Sequence, residues 1–504
     1  MSTIRKQSIV SSLIVYAGFA LGLFNTYLFT KKGGFTEQQY GLTQMFIAIA
    51  NIMFSVASLG MPAYVSKFFP YYKDRLKEEK NDMMTWALLI PCLGFLLVVM
   101  AGIFFKDSLI DKVFNNSPEL LQYYYWTFPF GFGLTLFLVL EAYLWQQRKA
   151  VFSNFTKEVL FRFIVTILIV LTTFKVIGSF DLFIKLYSLA YLLLVVLVLL
   201  YLVKNKRIHF VFEISIVTKK YAEKIKRMIS FIWGGNLVFN IAGVFDTIVL
   251  AAVVPNGMAV AGVFAFAQNI TSLLQAPQRA VVSASVGPLS QAWKEKNFDK
   301  IRKIYQRSSI NQLLFATAMF SLVWLNFDEG IKTFRLKESY ELSKNVFLFL
   351  GITRILDMGT GVNAQIIGTS TFWKFEFITG LILFALMLPL NYFLTKEMGI
   401  TGPAIANLIA FGIYNAVRYM FLWNKFKMQP FTAKSLITVL LAAFCFYICY
   451  LLFREATGFG WIVIRSAVYI ILFGIGAVAL KLSEDVQPIL QSLLQKLGLR
   501  NGRL

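Results

Sequence analysis

The sequence predicts an all-α polytopic membrane protein of about 14 transmembrane helices, and three observations carry that prediction. Of 504 residues, 58% are hydrophobic and only 15% are charged, giving a mean hydropathy of +0.65; a water-soluble chain of this length carries far more charge. The apolar residues fall into runs close to the ~20 needed to cross a ~30 Å hydrocarbon core. Lys and Arg concentrate in alternate loops between those runs.

In chain order the candidate spans are 8–29, 40–62, 84–105, 122–145, 155–176 and 182–203, then 228–253, 259–283, 309–327, 345–367, 374–395 and 400–423, and last 435–453 and 460–481. The first is too long for the apolar part of a signal peptide and lacks a small-residue cleavage site, so it reads as a span. Loops on one side hold 31 of the 49 Lys and Arg, those on the other side 11, and the spans 7. The positive-inside rule therefore puts both termini in the cytoplasm. The net charge of +23 belongs to topology and anionic headgroups, and no nucleic-acid partner is expected.

Composition also narrows the chemistry. Cys92, Cys445 and Cys449 lie in apolar runs without a CxxC pair, and the last two, one helical turn apart, read as small packed hydrophobes. The single histidine, His209, sits in a basic loop, which speaks against a histidine-based metal site or acid–base catalysis. No metal or other cofactor is implied. The outer loops are short, the longest near 328–344, and no DxD motif is present, so a membrane polymerase or glycosyltransferase is disfavoured and the chain is expected not to be an enzyme. Three cytoplasmic stretches have amphipathic spacing and read as helices lying at the headgroups: the tail with Val486, Ile489, Leu490, Leu493, Leu494 and Leu497; the region of Trp293, Ile301, Ile304 and Tyr305; and, more weakly, Phe212–Arg227.

A shift of 221 residues brings Gly22–Asn25 onto Gly243–Asp246, Gly41 onto Gly262, Val65 onto Val286, Lys175 onto Lys396, Gly178 onto Gly399, and Lys204 and Lys206 onto Lys425 and Lys427. One ungapped offset thus aligns spans 1–6 with spans 7–12. Six spans is an even number, so the copies share an orientation and form two parallel six-helix lobes related by a pseudo-two-fold along the membrane normal, as in transporters whose lobes rock about a site at their interface. The expected organisation is an N-lobe at 1–203, a basic cytoplasmic linker at 204–228, a C-lobe at 229–423, two further spans at 435–481 and an amphipathic tail at 482–504.

Polar residues inside the spans are the candidate functional groups, since a charge at a helix centre costs about 2.5–3.5 kcal/mol on insertion scales. Span 8 carries Gln268, Asn269, Gln275, Pro277 and Arg279; helical spacing puts Gln268, Ser272, Gln275 and Arg279 on one face. This stripe reads either as a cavity wall presenting a cation or as an arginine snorkelling to the interface. Arg354 and Asp357 in span 10 could bind a ligand or pair as a structural salt bridge. In span 5, Glu158 and Arg162 stand i,i+4 and can neutralise each other beside Lys157, with Glu141 of span 4 as a further partner. Asp246 and its repeat mate Asn25 sit in spans 7 and 1, where the carboxylate could bind a cation or proton or balance Arg279. Arg418 and Arg465 read as interfacial or structural. Pro62, Pro91, Pro129, Pro277, Pro389 and Pro403 lie in or at the ends of spans as candidate kinks.

The motif Gln39-Tyr-Gly-Leu after a short outer turn, Leu59-Gly60 closing span 2, and the following Ser66-Lys-Phe-Phe-Pro-Tyr-Tyr resemble the Wzx-type flippases of polysaccharide export. That family lies within the superfamily that also holds MATE multidrug exporters and MurJ-type lipid II flippases. The resemblance covers essentially the whole chain. It implies a bacterial inner-membrane carrier that moves an undecaprenyl-diphosphate-linked sugar unit (for O-antigen, capsule or exopolysaccharide) to the periplasmic leaflet through a cationic cavity. Its partners would be the polyprenyl-linked glycan, membrane lipids and the polysaccharide polymerase and chain-length machinery. Arg279 occupies a position where lipid II flippases also place a cavity arginine. The alternatives are a MATE-like cation-coupled exporter and a lipid II flippase. Spans 1 and 2 offer Asn25, Asn51 and serines where lipid II flippases carry charge, and Glu141 and Glu158 lie too near the cytoplasmic end for an exporter's acidic site.

Overall fold

The computed structural model describes residues 3–485, and all regular structure among them is helical. The amphipathic stretch Val486–Leu497 lies outside the described residues. Among the described residues, eleven helices are long and apolar enough to cross a membrane, or twelve if the bent pair Glu338–Gly359 and Asn363–Thr369 counts as one. The expected count was fourteen. Part of the difference lies at Trp373–Phe426, a 54-residue helical stretch that a turn at Gly399–Thr401 divides into helices of 26 and 25 residues. Another part lies at 150–173, which carries Lys157, Glu158 and Arg162 and is broken by a π-helical turn at Phe155–Leu160.

The 221-residue offset carries helix onto helix. Residues 83–104 fall at 304–325 within Phe298–Thr333, and residues 180–204 fall at 401–425, matching Gly402–Phe426. By packing the chain divides into two compact units, Met1–Ala265 and Phe266–Leu504. That division lies beyond the 204–228 linker because Ile216–Val253 packs against Glu37–Ala57 and Met61–Arg75. The second half of the linker is itself the start of this 38-residue helix, N-capped by Ser215.

In the first unit, the Thr127–Gln146 helix is the axle, with Phe130, Phe137, Val139, Leu140 and Leu144 fully buried. The Met83–Phe104 helix instead turns Leu93, Leu96, Leu97, Met100 and Phe104 outward. An exposed apolar face of that extent suits lipid and not water. The Gln39-Tyr-Gly-Leu motif has a structural account. Gln39 closes a capping box with Thr36, with bonds of 3.2 and 2.9 Å; Tyr40 and Leu42 are buried; and a Cβ on Gly41 would lie 1.9 Å from the Met258 carbonyl oxygen. Leu59 and Gly60 both have positive φ and turn the chain into Met61–Arg75.

Buried Asp82 ties the linker down. Its Oδ2 accepts from Trp86 Nε1 at 3.0 Å, the Ser215 amide at 3.0 Å and Thr218 Oγ1 at 2.7 Å. Hydrogen bonds to a charged group contribute about 1.5–3 kcal/mol each, so Asp82→Ala should free the linker. Hydrogen exchange of the 205–218 backbone amides should then speed up at least tenfold, and unchanged exchange would show that the linker is held by packing alone.

In the second unit, Ala433–Leu452 and Phe459–Ala479 pack on Phe298–Thr333, burying Cys445, Cys449, Tyr469 and Phe473. Arg465, buried, donates to the carbonyls of Leu325 (3.2 Å), Phe453 (3.0 Å) and Ala456 (2.7 Å), fastening the turn between Ala433–Leu452 and Phe459–Ala479. The region around Trp293–Tyr305 does not lie free at the headgroups. Ile301 and Tyr305 are buried against Leu289, Val362, Ile366 and Leu422, so protein and not lipid takes up their apolar face. Val217 and Ile225 of the 212–227 stretch likewise enter the core of the first unit. Of the six prolines singled out, Pro62, Pro277 and Pro403 sit in the first turn of a helix, where the missing N–H costs nothing; Pro91 and Pro389 lie within helices.

Candidate functional site

The candidate residues of the membrane-spanning helices gather in a polar constellation in each unit. In the first unit, the π-helical turn Phe155–Leu160 presents Lys157 and Glu158 in succession; such turns add a residue to the helical repeat and re-aim side chains. Glu158 accepts from Arg162 at 2.9 Å, and Lys157 reaches Glu141 of the axle helix at 2.9 Å, with Ser153 at 3.5 Å. Asn25, buried on the first helix (Thr3–Thr30), faces this cluster. It donates to the Arg162 carbonyl at 2.8 Å and accepts from Thr166 Oγ1 at 2.6 Å. Gly18 and Gly22 make the room: a Cβ on Gly18 would lie 2.9 Å from Arg162 Nη1, and one on Gly22 would lie 3.2 Å from its Nε. Asn25 is thus a cross-brace for Arg162. Thr166 and Ser153, which complete the cluster, carry no sequence signal beyond being polar in an apolar run.

In the second unit, the polar helix of span 8 is broken. Its α-helix ends at Ser272, a 3₁₀ turn covers Leu273–Gln275, and a new helix starts at Ala276 with Pro277 in its first turn. Proline cannot donate to the preceding turn and clashes with it, so the unbroken stripe expected from spacing is re-aimed at Gln275. With its amide oxygen toward the guanidinium, Gln275 accepts from Arg354 Nε at 3.1 Å and Nη1 at 2.9 Å. The arginine also lies over the Phe411 ring, 5.5 Å from its centroid. One turn on, Asp357 accepts from Gln278 at 3.0 Å and from Asn415 at 3.1 Å. Asn415 Oδ1 in turn receives Thr360 (2.9 Å) and Asn363 (3.0 Å). Gln278 and Asn415 were not among the residues expected from sequence.

Beside this network lies a cavity of about 530 Å³, lined by apolar Leu313, Leu356, Leu436 and Val439 and sharing Thr360 and Asn415 with the polar cluster. Arg279 is exposed on the Ala276–Lys294 helix, while Gln268 and Asn269 are half-buried on Gly257–Ser272. Asp246 is buried in Ile216–Val253 and belongs to the first unit with Asn25, whereas Arg279 belongs to the second. Arg418, 2% exposed, is sealed by an ion pair with Glu376, by Thr379 at 3.2 Å and by the Tyr414 ring at 3.6 Å. It is a packing element.

Residues 4–293 match the model of the family described as polysaccharide biosynthesis protein, more than half of the chain. The chain belongs to that family. Among solved structures this family member is similar to the lipid II flippase MurJ in an inward closed conformation, at 18% identity and TM-score 0.74, over 94% of this chain and 98% of that one. It is also similar to an inward-facing multidrug resistance MATE family transporter of the MOP superfamily (13% identity, TM-score 0.62, 82% and 95% covered). A third is an outward-facing transporter of the same description (17%, 0.53, 84% and 95%). At these identities the likeness is one of fold. The comparison with curated proteins finds no match.

Proposed function

We propose that the chain is a flippase that carries undecaprenyl-diphosphate-linked oligosaccharide units from the cytoplasmic to the periplasmic leaflet of a bacterial inner membrane by alternating access. The observation that carries this reading is the second-unit site, where the hydrogen-bonded cluster that holds Arg354 and Asp357 shares Thr360 and Asn415 with an apolar cavity. That pairing suits an amphiphile with a charged head and a hydrocarbon chain, and family membership supports a glycan-bearing one. A diphosphate and its sugars cannot cross hydrocarbon unaided, whereas a prenyl chain can stay in lipid. Arg354 and the exposed Arg279 supply planar donor forks that match phosphate oxygens. Gln275 orients Arg354, Gln268 and Asn269 offer neutral hydrogen bonds to sugars, and Lys157 and Arg162 form a second cationic station in the first unit. Asp357, Asp246, Glu141 and Glu158 are the counter-charges that keep these cations tolerable in the membrane.

Deleting the gene should remove surface polysaccharide and leave sensitivity to cationic dyes unchanged; the reverse pattern would assign the chain to drug export. In the complemented strain, Arg279→Ala should lower surface polysaccharide more than tenfold at normal protein level. Full surface polysaccharide in that strain would remove Arg279 from the site.

A further inference from the structure

A second apolar cavity, of about 460 Å³, lies wholly in the first unit, where the turn at Leu59 and the Met61–Arg75 helix meet Met83–Phe104 and the start of Ile216–Val253. Leu59, Met61, Ile90, Ala222, Ile225 and Ile229 line it. Five of the remaining lining residues carry neutral polar groups, and each of those groups is bonded to protein. Trp86 Nε1 donates to Asp82, and Trp233 Nε1 donates to the Ser55 carbonyl at 2.7 Å. Tyr64 donates to the Tyr72 hydroxyl at 2.8 Å, Thr218 donates to Asp82, and Ser230 donates to the Lys226 carbonyl at 2.9 Å. What these residues show the cavity is mostly carbon. A cavity whose neutral polar groups are all spoken for gains little from water and accepts hydrocarbon.

One charge stands on the lining among the described residues, Lys226, and it is exposed. It marks the point where the helix changes character: residues 216–227 hold five Lys and Arg, and residues 228–253 hold only Asp246 as a charged group. That transition is the headgroup level of a membrane helix. The geometry points to a resident lipid site: one acyl chain of an anionic phospholipid fills the cavity, with its phosphate beside Lys226. The apolar lining suits a hydrocarbon chain, and the one lysine at the headgroup level suits an anionic head. The site lies in the first unit and shares no residue with the second-unit cavity proposed for the transported amphiphile, so its test does not depend on transport.

Native mass spectrometry of the purified full-length protein with palmitoyl-oleoyl phosphatidylglycerol or phosphatidylcholine reads the site directly. Phosphatidylglycerol should bind more tightly, and Lys226→Gln should cut that preference about fivefold, the worth of one interfacial lysine. Ala222→Trp, which fills the cavity, should lower retention of phosphatidylglycerol at least tenfold at an unchanged melting temperature. On the unaltered protein, phosphatidylglycerol with a diazirine in its acyl chain should label peptides containing Trp86 or Ile225. Equal binding of the two lipids, retention undiminished in folded Ala222→Trp, or labelling confined to other helices would each overturn the assignment.

Discussion

Gly41→Ala should lower the stability of the purified protein by about 3 kcal/mol or more, the upper end of what overpacking costs, and Gly41→Leu should leave little folded protein at all. A Cβ on Gly41 would stand 1.9 Å from the Met258 carbonyl oxygen and 3.0 Å from the Gly262 amide nitrogen, and one on Gly262 would stand 2.4 Å from the Glu37 carbonyl oxygen. The obstacles are backbone, so no rotamer change relieves them. The contact is reciprocal: each glycine meets the carbonyl four residues before the other, and the offset of 221 that maps Gly41 onto Gly262 also maps Glu37 onto Met258. Such mutual contact is what a local two-fold produces where it passes between two elements. Gly234 is the control, lying within the Ile216–Val253 helix with nothing within 4 Å of an added Cβ. Gly234→Ala should stabilise by about 0.5–1 kcal/mol through the unfolded chain and helix propensity. Thermal unfolding in detergent decides; equal melting temperatures for the Gly41 and Gly234 variants would mean that the two helices part easily.

Features with a local physical cause were legible in the sequence. Hydropathy placed the helices, the i,i+4 spacing placed Glu158 against Arg162, and the repeat put Gly41 and Gly262 in register before the structure brought them into contact. Features with a tertiary cause were not. Nothing local distinguishes Gln278 or Asn415 from other polar residues in a span; they matter because the break at Leu273–Gln275 and the packing of Gly402–Phe426 against Ser343–Gly359 bring both to Asp357. Pro277 signals the break itself, and the turn that precedes it interrupts the 3.6-residue period on which the spacing of Gln275 rests. Ile301 and Tyr305 failed for a related reason: amphipathic spacing says that one face is apolar and not whether lipid or protein covers it.

Arg354 and Arg418 are both arginines within apolar helices, yet their substitutions should fail in different assays. Arg418 is enclosed by Glu376, Thr379 and Tyr414. Arg418 is buried and Glu376 half-buried, so removing the arginine strands a partly shielded carboxylate and costs toward the lower end of the about 3–5 kcal/mol of a fully buried pair. Arg418→Ala should therefore lower the amount of folded protein, with transport falling in proportion. Arg354 is only half-buried, braced by the Gln275 amide and the Phe411 ring. Arg354→Ala should leave folded protein near normal and, on the proposed function, remove charge-assisted bonds to a phosphate head, about 1.5–3 kcal/mol each, which is a tenfold to hundredfold loss of surface polysaccharide at equal protein level. Arg354→Lys is the sharper probe. It keeps the charge but cannot place two donors on Gln275 at once, so it should recover only part of the lost activity. Gln275→Ala, which releases Arg354 without touching its charge, should resemble the lysine variant. Full activity in Arg354→Ala, or loss of folded protein equal to that of Arg418→Ala, would make Arg354 a second packing arginine and move the head-binding role elsewhere.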